Sequence, residues 1–275
     1  MTDNWDSYLC EVEGKPASIL VDIGAVSLAP VLRLPYLAYV AISVANPDEN
    51  GFPHGEEFDN LSFLEDALED ALTADETSVH IGRCITNGHY ELVFYAAEPA
   101  GWNNRVAAIM ERHPSCAWEA DTRYEPGWDS YLGFLFPGEQ DLLIIQNRRL
   151  CRLLREQGDL PGKIRPIRHR LDFFDPAAGR TFCRAARKLG FHTEETGAHA
   201  AQEGPGADTE ESAAEGEADL IRLALNRLGA GLPTFRIYLT RMDTIENIDE
   251  ISLSLMDSAA EHDGEYLGWS CLAER

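Results

Sequence analysis

Whether this chain can do chemistry turns on where its histidines, cysteines and carboxylates fall. The tightest groupings of metal-ligating types are His54 with Glu56 and Glu57, and His80 with Cys84. On a strand, positions four apart share a face but lie about 13 Å apart, too far for one ion. His54, Glu56 and Glu57 stand where a helix is expected to begin, and there acidic side chains favour the helix dipole. Six cysteines (Cys10, Cys84, Cys116, Cys151, Cys183, Cys271) are spread without CxxC spacing. The acidic start Met1–Asp6 lacks an export signal, so free buried thiols in the cytoplasm are expected. No GxSxG, HExxH, GxGxxG or EF-hand run occurs. Gly158-Asp159-Leu160-Pro161-Gly162-Lys163 fails as a phosphate loop on spacing, on the missing Ser or Thr, and on the helix that precedes it. The reading is a non-enzyme: no catalytic, cofactor-binding or metal residue, and no small-molecule ligand.

Charge points instead to partners. The net charge is −24. Residues 1–147 carry −19, residues 148–188 carry +8, and residues 189–275 carry −13. Acidic bulk repels nucleic acid and favours basic proteins. Within the basic segment, Arg148, Arg149, Arg152, Arg155, Arg184, Arg187 and Lys188 could bind RNA if their two helices lie side by side. Salt bridges to the acidic N-terminal domain are the competing use. An exposed aromatic platform of the RRM kind is not evident, which disfavours RNA. Glu246, Asp249, Glu250, Asp257 and Glu261 line a predicted helix and suit a basic protein partner, speeding association more than strengthening it.

The elements that would hold these residues follow from periodicity. Strands are expected at Trp5–Val12 and Ala17–Asp22, and again at Tyr36–Ala45. A helix from Glu56 to Leu72 comes next, then a hairpin, Thr77–Thr86 and His89–Ala97, turning at Asn87-Gly88. A helix at Gly101–His113 and a strand at Cys116–Tyr124 complete a βαββαβ order. A further strand is expected at Trp128–Phe136, then an amphipathic basic helix at Glu139–Gln157. The second half repeats the order. It has strands at Ile167–Phe174, Phe191–Glu195, Thr234–Met242 and Glu265–Leu272, and helices at Pro176–Leu189 and Thr244–His262. The Ala/Glu/Gly tract near 197–217 is expected to be a flexible acidic insertion, and Ala218–Leu228 an inserted helix. The fold class is α+β: two tandem ferredoxin-like sandwiches. The divisions are 1–138, a connecting helix and linker at 139–164, and 165–275. No run approaches the length that spans a bilayer. Trp5-Asp6-Ser7-Tyr8-Leu9 recurs as Trp128-Asp129-Ser130-Tyr131-Leu132; duplication or coincidence would explain it, and the differing residues that follow favour coincidence.

The C-terminal half resembles the regulator of ribonuclease E activity B (RraB) family. Leu189-Gly190-Phe191, Phe235-Arg236-Ile237-Tyr238, Ile248-Asp249-Glu250-Ile251 and the ending Gly264-Glu265-Tyr266-Leu267-Gly268-Trp269 carry the likeness. The family's usual Tyr-Asp-Gly-Trp ending has Leu267 in place of Asp here, and 197–233 is inserted. The N-terminal half resembles an uncharacterised bacterial domain-of-unknown-function family often fused ahead of the first. Trp5-Asp6-Ser7-Tyr8-Leu9, Pro16-Ala17-Ser18-Ile19, Gly82-Arg83, Thr86-Asn87-Gly88, Phe134-Leu135-Phe136-Pro137 and Ile145-Gln146-Asn147-Arg148 carry that likeness. The resemblance implies a binding protein that inhibits ribonuclease E through its non-catalytic region, with Trp269 joining the acidic helix among the partner-facing residues. Direct RNA binding through 148–188 and a hydrolase in the N-terminal half are the alternatives.

Overall fold

In the computed structural model the described residues are 2–197 and 235–274. The chain divides into two units, Met1–Gly138 and Glu139–Arg275. Each contains one antiparallel sheet with helices, so the chain is mixed α and β.

The first unit contains β1 (Trp5–Val12), β2 (Lys15–Asp22), β3 (Tyr36–Ser43), α1 (Glu56–Thr73), β4 (Ser78–Thr86), β5 (His89–Ala96), α2 (Trp102–Met110) and β6 (Trp118–Tyr124). The sheet order is β1-β2-β4-β5-β3-β6. The leading hairpin β1–β2 therefore extends the same sheet, pairing through β2 with β4. The β4–β5 turn closes at Asn87 and Gly88, both at positive φ, as a two-residue I′ hairpin requires. Leu61, Leu64, Leu68 and Leu72 of α1 and Val106 and Met110 of α2 meet Val40, Ile42, Leu92 and Phe94 of the sheet. Each such burial contributes about 1.5–3 kcal/mol before the entropy of ordering is set against it.

Two expectations change here. The segment Trp128–Phe136 is not a strand. Trp128 takes a φ of 58° and Tyr131–Leu135 coils as a single π-helical turn. Its polar aromatic groups find carbonyl acceptors that a strand would not reach: Trp128 Nε1 donates to Leu34 O at 2.9 Å and Tyr131 Oη to Asp22 O at 2.8 Å. The two Trp-Asp-Ser-Tyr-Leu copies thus adopt unlike backbones, the first as β1. Second, His80 and Cys84 do not share a strand face. A β-bulge between His80 and Gly82 shifts the alternation, so that His80 and Arg83 both reach carboxylates of α1, Glu69 and Glu65.

The second unit contains α3 (Glu139–Glu156), β7 (Arg165–Phe173), α4 (Pro176–Lys188), β8 (His192–Gly197), β9 (Phe235–Asp243), α5 (Ile248–Ala260) and β10 (Gly264–Ser270). Its sheet order is β10-β7-β9-β8. Asp175 caps α4, accepting from Ala177 N at 2.9 Å and Ala178 N at 3.3 Å, with Pro176 in the first turn. α4 packs on β7, β8 and β9, and α5 on β10. The core joins Leu171, Phe173, Phe182, Cys183, Ile237, Leu239 and Leu255. The helix expected to connect the domains belongs instead to this unit, because Leu154 of α3 closes a second cluster with Ile167, Ile245, Ile248 and Trp269. The loop after α3 is pinned from inside. Arg165, about 1% exposed, pairs with buried Asp159 and donates to Leu160 O at 2.6 Å. Asp159 also accepts from Glu274 N at 2.7 Å, tying down the C-terminal residues. The expected flexible tract 197–217, beyond Gly197, and the expected helix 218–228 lie outside the described residues. Among the described residues no helix is long and apolar enough to cross a membrane.

Candidate functional site

The acidic helix is built by a simple division of faces. Ile248, Ser252, Leu255 and Ala259 of α5 are buried, at spacings of four, three and four residues that define one side of a helix. Glu250, Asp257 and Glu261 recur at seven and four, half a turn from the core face; Glu246 stands in the 3-10 turn Ile245–Asn247 just ahead of α5, and all four are exposed. Asp249 lies between the two faces. None of Glu246, Glu250 and Glu261 pairs with a cation among the described residues. Asp249 and Glu250 sit in the first turn, where the dipole favours them. Asp257 and Glu261 stand at the negative end, and the last turn carries no basic residue. That placement costs about 0.3–1 kcal/mol per charge.

A buried polar knot fixes this helix. Asn147, about 1% exposed, donates through Nδ2 to Asp249 Oδ1 at 2.7 Å and to Ser252 Oγ at 2.8 Å. Its Oδ1 accepts from Trp269 Nε1 at 2.8 Å. One amide therefore ties α3, α5 and β10 together with every contact satisfied. Trp269 consequently serves inside: it is 7% exposed, packed on Leu154 and Ile248, and is not a partner-facing residue. Its indole needs both an apolar slot and an acceptor, and only the interior offers the two together.

The basic residues do not pool into one surface. α3, with Arg148, Arg149, Arg152 and Arg155, packs against α5, whereas α4, with Arg184, Arg187 and Lys188, lies over β7–β9. Arg187 donates to Thr193 Oγ1 at 2.8 Å and pairs with Glu195 at 3.6 Å. Arg184 donates to Thr181 Oγ1 at 2.9 Å. Arg148 and Arg149 have interactions of their own.

The first unit holds a group of titratable side chains on α1, β4 and β5. His80 Nδ1 faces Glu69 Oε2 at 3.0 Å and Nε2 faces Gly82 O at 3.0 Å. Both ring nitrogens therefore meet acceptors, and neither meets a nucleophile. The hydrogen bond from His80 holds the Glu69 carboxyl below its ordinary range despite partial burial. Arg83 Nη1 donates to Glu65 Oε2 at 2.6 Å and to Tyr90 Oη at 2.7 Å. Tyr90 in turn donates to Glu65, and burial pushes its phenol up. Burial also pushes the Cys84 thiol up to about 12, far from a reactive thiolate. Glu57, one of the grouping near His54, accepts from Ala45 N at 2.6 Å and closes the loop before α1. Among the described residues no three His, Cys, Asp or Glu converge as for a metal ion.

The two units match different families. Residues 144–271 match the family Regulator of ribonuclease activity B. Residues 3–136 match a family of unknown function, DUF695. No curated protein matches the chain.

Within residues 144–271, sequence reasoning marked the acidic row but missed the residue that sets it. Asn147 was legible in principle. It interrupts the apolar run Leu143, Leu150, Leu154 of α3 at a position that helical spacing buries, and Ser252 does the same in α5. A polar residue on a core stripe implies a partner for it. Within residues 3–136, His80 was noted, but Glu65 and Glu69 were not. Their partners sit on β4, which only pairing brings near.

Proposed function

We propose that the RraB-family unit is a non-catalytic protein-interaction module. In this reading it regulates ribonuclease-driven RNA turnover by binding a basic segment of ribonuclease E, or of another RNA-processing protein, in the cytoplasm. The observation that carries this is the acidic row at α5: Glu250, Asp257 and Glu261 opposite the buried face with Glu246 in the turn ahead, two of them kept at the unfavourable helix end. Charge held against local electrostatics, on a helix fixed by a buried knot, is what a preorganised docking surface for a cation-rich partner requires. The strand order supports a finer reading of the fold. Numbered within each βαββαβ run, β6-β3-β5-β4 and β10-β7-β9-β8 are both fourth-first-third-second, the arrangement of a ferredoxin-like sandwich. Tandem ferredoxin-like units, the first widened by the β1–β2 hairpin, are the architecture we infer.

The test uses the full chain and the purified non-catalytic region of ribonuclease E in a binding titration. The triple variant Glu246→Lys, Glu250→Lys, Glu261→Lys should slow association by about tenfold or more at low salt and flatten its salt dependence. Equal binding by the triple variant would remove the stripe from the argument. Lack of binding by the unaltered chain would remove the ribonuclease reading itself.

A further inference from the structure

Among the described residues, β6 ends one side of the first sheet and pairs only with β3. Ser43 N donates to Ala117 O at 2.9 Å and Glu125 N to Pro35 O at 2.8 Å. In an antiparallel ladder these two bonds fix the parity. Odd-numbered residues of β6 turn their N–H and C=O toward β3. Trp118, Ala120, Thr122 and Tyr124 turn theirs outward. Edges of this kind are usually blunted by proline, a bulge or charged side chains, lysine above all; the charges on β6 are Glu119, Asp121 and Arg123. β6 contains no proline or lysine, and its register with β3 runs unbroken from Trp118 to Tyr124. At an outer edge of the other sheet, β10 does carry a bulge between Tyr266 and Gly268.

Two further features flank this edge. On the helix side, a shallow open depression of about 190 Å³ lies between β6 and the start of α2, lined by Pro99, Gly101, Asn103, Asn104 and Thr122. Its lining is mostly polar, and the α2 terminus has no side-chain cap. Asp121 also borders this depression, while its side chain and that of Glu119 are exposed on the opposite face, beside Tyr39. Burial, then Glu119, Asp121 and Glu91 in turn, push the Tyr39 phenol up, while Arg123 opposes them. Arg123 is itself held by Glu125 Oε2 at 2.5 Å. Residues 1–147 carry −19 in all.

We propose that β6 is a docking edge for an extended, cation-bearing segment of a partner protein, which adds antiparallel to the sheet as a further strand. Main-chain hydrogen bonds to Trp118, Ala120, Thr122 and Tyr124 supply the grip, as in other strand-addition complexes; Thr122 N, which donates to Asp121 Oδ1 at 2.8 Å, exchanges that bond for one to the segment. Alternate side chains of the segment would be lysine or arginine beside Glu119 and Asp121. The intervening ones would be small and polar, directed toward the depression.

The probe is an acetylated, fluorescent octapeptide of alternating lysine and threonine, titrated into the full chain at low salt. In the antiparallel register the threonine N–H groups face β6, so a second peptide carries N-methyl groups at the threonines alone. The plain peptide should bind and move the amide resonances of Trp118, Ala120, Thr122 and Tyr124. N-methylation should weaken it about tenfold, the loss of several edge hydrogen bonds. Ala120→Pro should do the same, because its N–H points outward and proline is tolerated at such an edge position. Glu119→Lys with Asp121→Lys should abolish binding. If Ala120→Pro unfolds the unit, the N-methylated peptide against the unaltered chain still decides. Equal affinity of the two peptides would show charge attraction without strand pairing and overturn the proposal, as would absence of binding by the plain peptide.

Discussion

Asn147→Ala isolates the knot that sets the acidic helix. The substitution removes the bond to the Asp249 carboxylate, at 2.7 Å, and the bond to Ser252. Ser252 keeps its own bond to Asp249 O at 3.2 Å, so the loss there is small. A hydrogen bond to a charged group is worth about 1.5–3 kcal/mol, and a buried N–H left without an acceptor costs about 1–3 kcal/mol. Trp269 Nε1 becomes such an N–H. The expected loss is therefore about 4 kcal/mol, a large share of a domain's stability. Asn147→Asp keeps the acceptor for Trp269 but sets a second carboxylate against Asp249. It should be at least as damaging at neutral pH and recover toward pH 4, where a protonated carboxyl can again donate. Urea unfolding with heteronuclear NMR reads this directly, since Trp269 is the one tryptophan after residue 128. Its indole N–H should lose protection from exchange. A loss under about 1 kcal/mol with that N–H still protected would refute the reasoning.

Burial pushes His169 down to about 4, with Arg241 adding to the effect. The folded unit thus resists protonation that the unfolded chain accepts near pH 6.5. Stability is complete above pH 6.5 and falls as pH drops toward 4, by up to about 3 kcal/mol. In thermal melts across that window His169→Gln should flatten the dependence, and an unchanged slope would exclude this histidine as its source. Gly179→Ala should reverse the usual helix preference for alanine. A Cβ there would sit 2.5 Å from Phe235 Cδ1, and relieving such overpacking costs about 1–3 kcal/mol. A higher melting temperature in the variant would contradict that.

Much of this protein is local and was legible in its sequence. Helical stripes such as Leu61, Leu64, Leu68 and Leu72, the Asn87-Gly88 turn and the Asp175-Pro176 helix start each encode their own backbone, because the determining contacts lie within a few residues. The acidic stripe of α5 is equally local, a matter of spacing on one helix. Tertiary structure decided the rest. Trp128–Phe136 alternates like a strand, yet coils, since the acceptors for Trp128 and Tyr131 lie about a hundred residues earlier in the chain, at Leu34 and Asp22. The bulge at His80–Gly82 turns a strand face over without any mark in composition. Trp269 looked like a surface anchor until Asn147, 122 residues away, supplied its acceptor inside. Sequence fixes what each segment can satisfy alone, and only folding shows which distant group satisfies the remainder.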